Sequence, residues 1–314
     1  MVVGEKKKIR VALLAGGRSG EREVSLAGAA GVEAAMDRER YDLRRYDPKT
    51  DLTLLAQDAD SIDVAFILLH GSYGEDGRVQ GYLDLLDIPY QGSGVLGSAL
   101  AMDKNMAKTL YRVHGLPVAE WEMARPEDGQ DPDRLLEILT LPLVVKPVRE
   151  GSSLGMTIAH DREQLGEGIR LAYEYDSEVM VEQFLAGREI TVAVLGNSDL
   201  TPLPLVEIIP GAEYEFFDYT AKYKEGATRE ICPAEVDAEI TARAQALAVE
   251  AHKALCLRGY SRTDMILTPD GSLYLLETNT IPGMTPTSLF PQAAAAAGID
   301  FTRLISRLLE LALE

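Results

Sequence analysis

Apolar positions along the chain repeat with two different periods. Ile9 to Ala15, interrupted only by Arg10, and Val64 to Leu69 are short apolar runs, the pattern of buried strands. Each is followed by a turn and then by helix formers: Gly16-Gly17 leads into Glu23 to Met36, and His70-Gly71-Ser72-Tyr73-Gly74-Glu75-Asp76-Gly77 leads into Val79 to Leu86. Strands alternating with helices predict a parallel sheet. Beyond the turn-rich Pro89 to Gly94, residues Leu96, Ala99, Leu100, Ala107 and Leu110 keep helical spacing, and a first boundary falls there, between 92 and 93.

From Trp121 the texture changes. Glu122 to Asp133 reads as a charged loop, followed by a helix and the strand Leu143 to Pro147, which the proline terminates. Met156 to Ala159 is a strand, Arg162 to Tyr173 a helix and Glu178 to Phe184 a strand, so a second small α/β unit spans 93–181. The remainder, 182–314, carries a strand over Glu189 to Leu195, an aperiodic stretch from Gly211 to Glu230, a long helix near Glu235 to Leu257, a hairpin and a C-terminal helix. The run Ala293 to Ala297 reads as part of a helix.

Composition narrows the function. The chain has 314 residues, 46% of them hydrophobic, enough for one large domain or for two to three smaller ones. With 31 Lys and Arg against 50 Asp and Glu, the net charge of −19 repels nucleic-acid backbones and anionic membrane surfaces. An anionic ligand would have to be met locally, by lysines, backbone amides and a metal ion. Cys232 and Cys256 lack the spacing of a zinc site and are too few for a disulfide framework, and no stretch approaches a membrane span. A cytoplasmic protein is expected.

Thr268-Pro269-Asp270-Gly271 is a turn signal between Ser261 to Leu267 and Ser272 to Glu277. If Thr268 faces Gly271, then Asp264 faces Leu275, and Glu277 is its diagonal neighbour about 7–8 Å away on the same face. Alternation adds Arg262 and Asn279 to that face. Two carboxylates and an amide oxygen are hard ligands that suit Mg²⁺ shared with phosphates; a solvated hairpin face is the alternative. Lys146 ends a strand just before Gly151-Ser152-Ser153-Leu154-Gly155, a loop able to aim amides at phosphate, though also an ordinary hairpin turn, and its glycine spacing is not that of a P-loop. Glu182-Gln183-Phe184-Leu185 and Glu189 resemble a hinge between the second and third units, where ligand clefts form, although exposed glutamates at strand ends are the commoner case. Lys104 falls on an amphipathic helix, which by itself suggests a solvated face. Tyr214 to Tyr223, with Asp218 and Lys222, reads as a long functional loop or lid, with a packed surface loop as the alternative. His70 ends a strand beside glycines, where α/β folds gather ligands, although a lone histidine is more often structural, and Glu21 is ambiguous in the same way, since a glutamate early in a helix also favours the macrodipole.

In sequence order, Glu21-Arg22-Glu23-Val24-Ser25-Leu26, His70-Gly71 with Gly74-Glu75-Asp76-Gly77, Met102-Asp103-Lys104, Lys146-Pro147 with Glu150-Gly151-Ser152-Ser153, Asp218-Tyr219 with Ala221-Lys222-Tyr223, and Glu277-Thr278-Asn279-Thr280-Ile281-Pro282-Gly283-Met284-Thr285 resemble the D-alanine–D-alanine ligases of the ATP-grasp superfamily. The resemblance implies an α/β, three-domain ATP-grasp architecture whose N-terminal parallel-sheet domain is biotin-carboxylase-N-like. It implies that Lys104, Lys146, Ser153, Glu182, Gln183, Leu185, Glu189 and Lys222 hold ATP, and that Asp264, Glu277 and Asn279 hold two Mg²⁺ or Mn²⁺. Glu21 would receive the ammonium of a first D-alanine, with His70 nearby. Ser152 and Tyr223 would hydrogen-bond to Glu21, Arg262 and the Gly283 amide would stabilise an oxyanion, and Ser288 with the Leu289 amide would take the carboxylate of a second D-alanine. It also implies peptidoglycan precursor synthesis and a homodimer.

The chain departs from the family pattern at Gln183, where several relatives carry lysine, at Phe217, where some carry tyrosine, and in Ser261-Arg262-Thr263-Asp264. Tyr223 resembles the dipeptide-forming members. A ligase using D-lactate or D-serine as acceptor, and a nucleotide-binding module without turnover, are the alternatives.

Overall fold

The protein is described by a computed structural model over residues 7–211 and 228–314. The first apolar run is β1 (Ile9–Ala15), followed by α1 (Arg22–Ala35), β2 (Tyr41–Tyr46), α2 (Leu52–Gln57), β3 (Val64–Leu68) and α3 (Arg78–Leu85). The three strands form a parallel sheet in the order β2-β1-β3. β2 escapes the apolar pattern because it is an edge strand: only Tyr41 and Tyr46 are buried, with charged Asp42, Arg44 and Arg45 between them. One face of the sheet, with Ala12, Leu14, Ala65 and Ile67, packs on Val79 and Leu83 of α3. The other, with Val11, Leu13, Phe66 and Leu68, packs on α1 and on two helices from the C-terminus.

The helical stretch after residue 94 is two helices, α4 (Val95–Met102) and α5 (Lys104–Val113). Asp103 divides them, because its side chain accepts the Met106 backbone N–H at 2.9 Å and caps α5. The cap puts Lys104 at the first position of α5 rather than mid-helix.

Part of the charged loop after Trp121 is regular: β4 (Trp121–Met123) precedes α6 (Asp133–Leu136). β5 (Leu143–Pro147), β6 (Thr157–Ala159), α7 (Arg162–Ala172) and β7 (Val179–Gln183) complete an antiparallel four-stranded sheet in the order β4-β7-β5-β6. β8 (Arg188–Gly196), β9 (Thr201–Pro202), β10 (Val206–Pro210), β11 (Thr228–Ile231), α8 (Ala238–Ala254), β12 (Gly259–Leu267), β13 (Leu273–Asn279), α9 (Leu289–Ala296) and α10 (Phe301–Ala312) follow. They build a larger antiparallel sheet, β11-β10-β8-β12-β13, with β9 paired to β8. Ala101, Ala107 and Tyr111 of α4 and α5 share a core with Val192, Met265 and Leu275 of this sheet, while Phe290, Leu304 and Leu308 of α9 and α10 reach back to the N-terminal sheet. Elements adjacent in sequence are therefore divided between neighbouring cores.

The hairpin register differs from the alternation argument. The turn is one residue wider than Thr268 facing Gly271 would make it, since Leu267 pairs with Leu273 and Met265 with Leu275, and a β-bulge then inserts Leu276 so that Asp264 pairs with Glu277 and not with Leu275. The burial pattern of β13 records it: buried and half-buried residues alternate through Leu275, then Leu276 and Glu277 are both half-buried in succession. If the Met265–Leu275 register continued with no bulge, Asp264 would face Leu276, and Glu277 would oppose the buried Thr263. Asp264 and Glu277 are thus cross-strand partners instead of diagonal ones.

His252 of α8 is buried, with Nδ1 2.8 Å from the Ser261 hydroxyl on β12. Burial pulls its pKa down from 6.5 to about 4. Between those two values the unfolded chain binds a proton that the folded chain excludes, so stability falls as the pH is lowered through the window, by ~3 kcal/mol in all. Urea unfolding of wild type and His252→Asn at pH 7 and 4.5 checks this: the wild type loses more stability than the variant, and equal losses would remove His252 from the account.

Candidate active site

Two connected cavities open where the sheets meet. The first lies between the four-stranded and larger sheets, and its walls include Val144, Lys146, Ser153, Glu182, Gln183, Leu185, Glu189, Ile266 and Leu276. The second, of about 1150 Å³, is lined by Glu21, His70, Glu75, Arg262, Asn279, Gly283, Ser288 and Leu289. Lys104, Glu150, Ser152 and Glu277 line both. An elongated ligand in the first can therefore present one end to molecules in the second.

Strand alternation builds the first cavity. Val144 and Lys146 on β5, with Met180 and Glu182 on β7, occupy one face of the four-stranded sheet. Lys146 hydrogen-bonds to one oxygen of Glu182, and the ammonium of Lys108 lies 2.8 Å from the other. Burial favours the neutral acid, yet the two lysines hold the Glu182 carboxyl down at about 2. Lys108 is fully buried, and its own pKa is lowered by burial, with Glu182 opposing the shift. No role for Lys108 is visible in the sequence, although its place beside Ala107, one turn before Tyr111, on a buried helix face is an anomaly that could have marked it.

Lys104 is not a solvated surface lysine. Its Nζ donates to the Glu150 carbonyl at 2.7 Å and lies 3.6 Å from Glu277. Gln183 lines the cavity, but its amide donates to the carbonyls of Thr140 and Pro142 at 2.8 and 3.2 Å. The amide thus ties the end of β7 to the loop before β5.

On β12 and β13 the candidate metal ligands do converge. Arg262 grips Asp264 in bidentate fashion at 2.8 and 2.7 Å, Thr191 of β8 donates to Asp264 at 2.6 Å, and the Asn279 amide nitrogen lies 3.4 Å from it. Thr191 had no sequence signal, because its role depends on the pairing of β8 with β12. Among the described residues, no three His, Cys, Asp or Glu side chains gather into a metal cluster. Asp264, Glu277 and Asn279 nevertheless fit Mg²⁺ as hard oxygen donors: rotation of the Asn279 amide turns its oxygen toward the carboxylates, and phosphate oxygens can complete the shell.

The second cavity centres on Glu21, which is buried beside the start of α1 and accepts a hydrogen bond from the Ser152 hydroxyl. Ser152 and Ser153 have φ of 51° and 57°, in the left-handed region. A Cβ on Gly151 would stand 2.9 Å from Glu21, as would one on Gly71, so both glycines let backbone approach the carboxylate. His70 is buried and its pKa is lowered by burial, with Glu21 opposing the shift. Ser288 precedes α9, bonds to the Thr285 hydroxyl at 2.7 Å and stands near the backbone of Gly283. Lys222 and Tyr223, with Phe217 and Asp218, lie outside the described residues.

Glu75 belongs to the glycine-rich motif after β3 but drew no role from the sequence. It accepts the backbone N–H groups of Gly71 at 2.8 Å and Ile281 at 3.3 Å, joining β3's exit to the segment after β13. Burial and the nearby Glu21 raise its carboxyl to about 8.

Residues 45–93 and 110–310 match the families described as D-ala D-ala ligase N-terminus and D-ala D-ala ligase C-terminus. The chain is 59% identical to the D-alanine–D-alanine ligase of Desulfotalea psychrophila, over 98% of this chain and 96% of that protein. The chain belongs to the D-alanine–D-alanine ligase family. The ligase of Syntrophobacter fumaroxidans is 57% identical over 98% of this chain and 99% of its own length. Among solved structures, the Bacillus anthracis ligase complexed with ATP superposes with a TM-score of 0.85 at 34% identity, covering 97% of each chain. The VanG D-Ala:D-Ser ligase of Enterococcus faecalis gives 0.84 at 33%, covering 98% of this chain and 100% of its own. The fold is accordingly the α/β ATP-grasp fold of these ligases.

Because its pKa is raised, Glu75 keeps a proton in the folded family member that it loses on unfolding. Stability therefore falls as the pH rises from about 4.5 toward 8. Glu75→Gln, which mimics the protonated form, should unfold at a temperature less dependent on pH between 6 and 8.5 than wild type. An unchanged pH dependence would show that Glu75 titrates normally.

Proposed function

We propose that the chain joins two D-alanine molecules to D-alanyl-D-alanine with consumption of ATP, supplying peptidoglycan precursors. The observation that carries this reading is the opening of the lysine-lined cavity into one that holds both Glu21 and Arg262. A nucleotide there, held by Lys104, Lys146, Ser153, Glu182, Gln183, Leu185, Glu189 and Lys222, would direct its phosphates toward a carboxylate in the second cavity. Asp264, Glu277 and Asn279 would hold two Mg²⁺, which when bound neutralise phosphate charge.

Glu21 takes the ammonium of the first D-alanine, with His70 and Ser152 beside it. That substrate's carboxylate oxygen attacks the γ-phosphorus, the bond to the ADP oxygen breaks, and an acyl phosphate forms. Ser288 and the Leu289 amide orient the second D-alanine through its carboxylate, and its neutral amine attacks the acyl carbon. Arg262 and the Gly283 amide stabilise the tetrahedral oxyanion, which expels phosphate to leave the amide. Arg262 is prepared for this task by its clamp on Asp264, which fixes the guanidinium without solvent reorganisation. Tyr223, with Lys222, would close the site and exclude water from the acyl phosphate.

Units 1–92, 93–181 and 182–314 act as substrate, central and metal-bearing units, with α4 and α5 lodged on the last. ATP as co-substrate favours action in the cytoplasm, and the net charge of −19 disfavours nucleic acid and anionic membranes as partners. Among the described residues no helix is long and apolar enough to cross a membrane. A homodimer belongs to the reading on the strength of the family resemblance alone.

The first test is phosphate release from Mg²⁺-ATP with D-alanine, L-alanine or no amino acid, with the product identified by mass. Release is expected with D-alanine alone, yielding the dipeptide. ATP binding without release would leave a nucleotide module, and a mixed product with D-serine or D-lactate added would reassign the acceptor. Glu277→Ala should abolish turnover, and wild-type turnover in that variant would remove Glu277 from the metal site. Tyr223→Phe should admit a hydroxy acid as acceptor, read from the ester to amide product ratio across pH.

A further inference from the structure

Lys108 takes no part in the reaction as derived, and it does not line either cavity. A lysine is almost never fully buried unless something compensates it. Its ammonium is enclosed by Glu182 at 2.8 Å, the Leu275 carbonyl of β13 at 3.5 Å and the Trp121 ring of β4, whose centroid is 5.9 Å away. Trp121 is also the β4 residue paired with Glu182 in the sheet. Lys108 is thus fixed simultaneously to α5, to the four-stranded sheet and to the larger sheet.

Glu182 divides its two oxygens. One meets Lys108 behind the cavity wall and the other meets Lys146 at the wall itself. We propose that Lys108 is a positioning residue for the nucleotide: it anchors Glu182 from behind, so that the free oxygen of Glu182 holds the Lys146 ammonium at the height where a phosphate or base nitrogen meets it. The inference rests on reading the first cavity as the nucleotide site. Without Lys108, Glu182 would be left buried beside a single cation. It would then either draw Lys146 back from the ligand or take up a proton and release it.

The charged groups that face this carboxylate are few. Lys108 approaches from α5 and Lys146 from β5, while β4 contributes only Trp121. Glu277 of β13 acts on Lys108 from further off, and Lys104 stands between Glu277 and the Glu150 carbonyl. Burial drives the carboxyl toward its neutral form, and both lysines oppose it. Removal of either brings its titration toward the working pH range.

Lys108→Met should raise KM for ATP by about tenfold or more at pH 7.5, while KM for D-alanine stays near its wild-type value. The rise should grow as the pH is lowered toward 6, a dependence that wild type lacks, and Lys108→Arg should restore most of the affinity. In a Glu182→Gln background, where no buried anion is stranded and folding is spared, Lys108→Met should add nothing further to KM for ATP. The proposal is overturned if Lys108→Met only lowers the melting temperature and leaves KM for ATP and its pH profile unchanged. It is equally overturned if Lys108→Met has its full effect in the Glu182→Gln background. Lys146→Met separates this inference from the site assignment: if it too leaves KM for ATP unchanged, the cavity is not the nucleotide site.

Discussion

A chain carrying a net charge of −19 that accepts a polyanionic nucleotide must reverse its own field in one place. The reversal is built from cations that each face an oxygen at short range: Lys146 and Lys108 on Glu182, Lys104 on the Glu150 carbonyl, and Arg262 on Asp264. Such pairing lets cations persist in a poorly solvated cleft, where an isolated charge would be too costly. It also fixes their positions before any ligand arrives. The two antiparallel sheets and α5 meet at this requirement, since the paired groups come from α5, β5, β7 and β12, and no single element could supply them.

The same pairing explains how much could be read from the chain. Apolar runs such as β1 and β3 were legible because a strand buried on both faces has no polar position to confuse the pattern. Lys146 and Glu182 were legible because they stand near strand ends beside short motifs, Glu21 because it opens a helix within one, and Asp264 because hairpin alternation set it on the face of Glu277. β2 was not, because an edge strand with charges on its open side resembles a loop. Thr191 and Lys108 were hidden for a different reason. Their significance lies wholly in what another element places opposite them, about 70 residues on in each case, and alternation along one segment carries no such information. Lys222 and Tyr223 fall outside the described residues, so the lid belongs to the proposal and not to the geometry.

Helix breaks follow the same division between local and remote causes. Asp103 is a local signal, a capping residue read by the backbone three positions later. It resets the phase of α5, and with it the directions of Lys104 and Lys108. One side-chain-to-backbone hydrogen bond at a helix start thereby sets the phase in which Lys104 reaches the cavities and Lys108, four residues on, is buried behind their wall.

The bulge at Leu276 separates what the fold needs from what the site needs. Regular pairing on either side of it is intact: Met265 opposite Leu275, and Asp264 opposite Glu277. Deleting Leu276 would therefore leave a continuous ladder, with the buried half and the carboxylate half of β13 still on their own faces. A one-residue deletion in a strand ordinarily turns everything beyond it inside out. Here the sheet would absorb the loss, and only the cavity wall would register it. The extra residue is thus a place where binding can vary without the fold resisting, a degree of freedom that a regular strand does not offer.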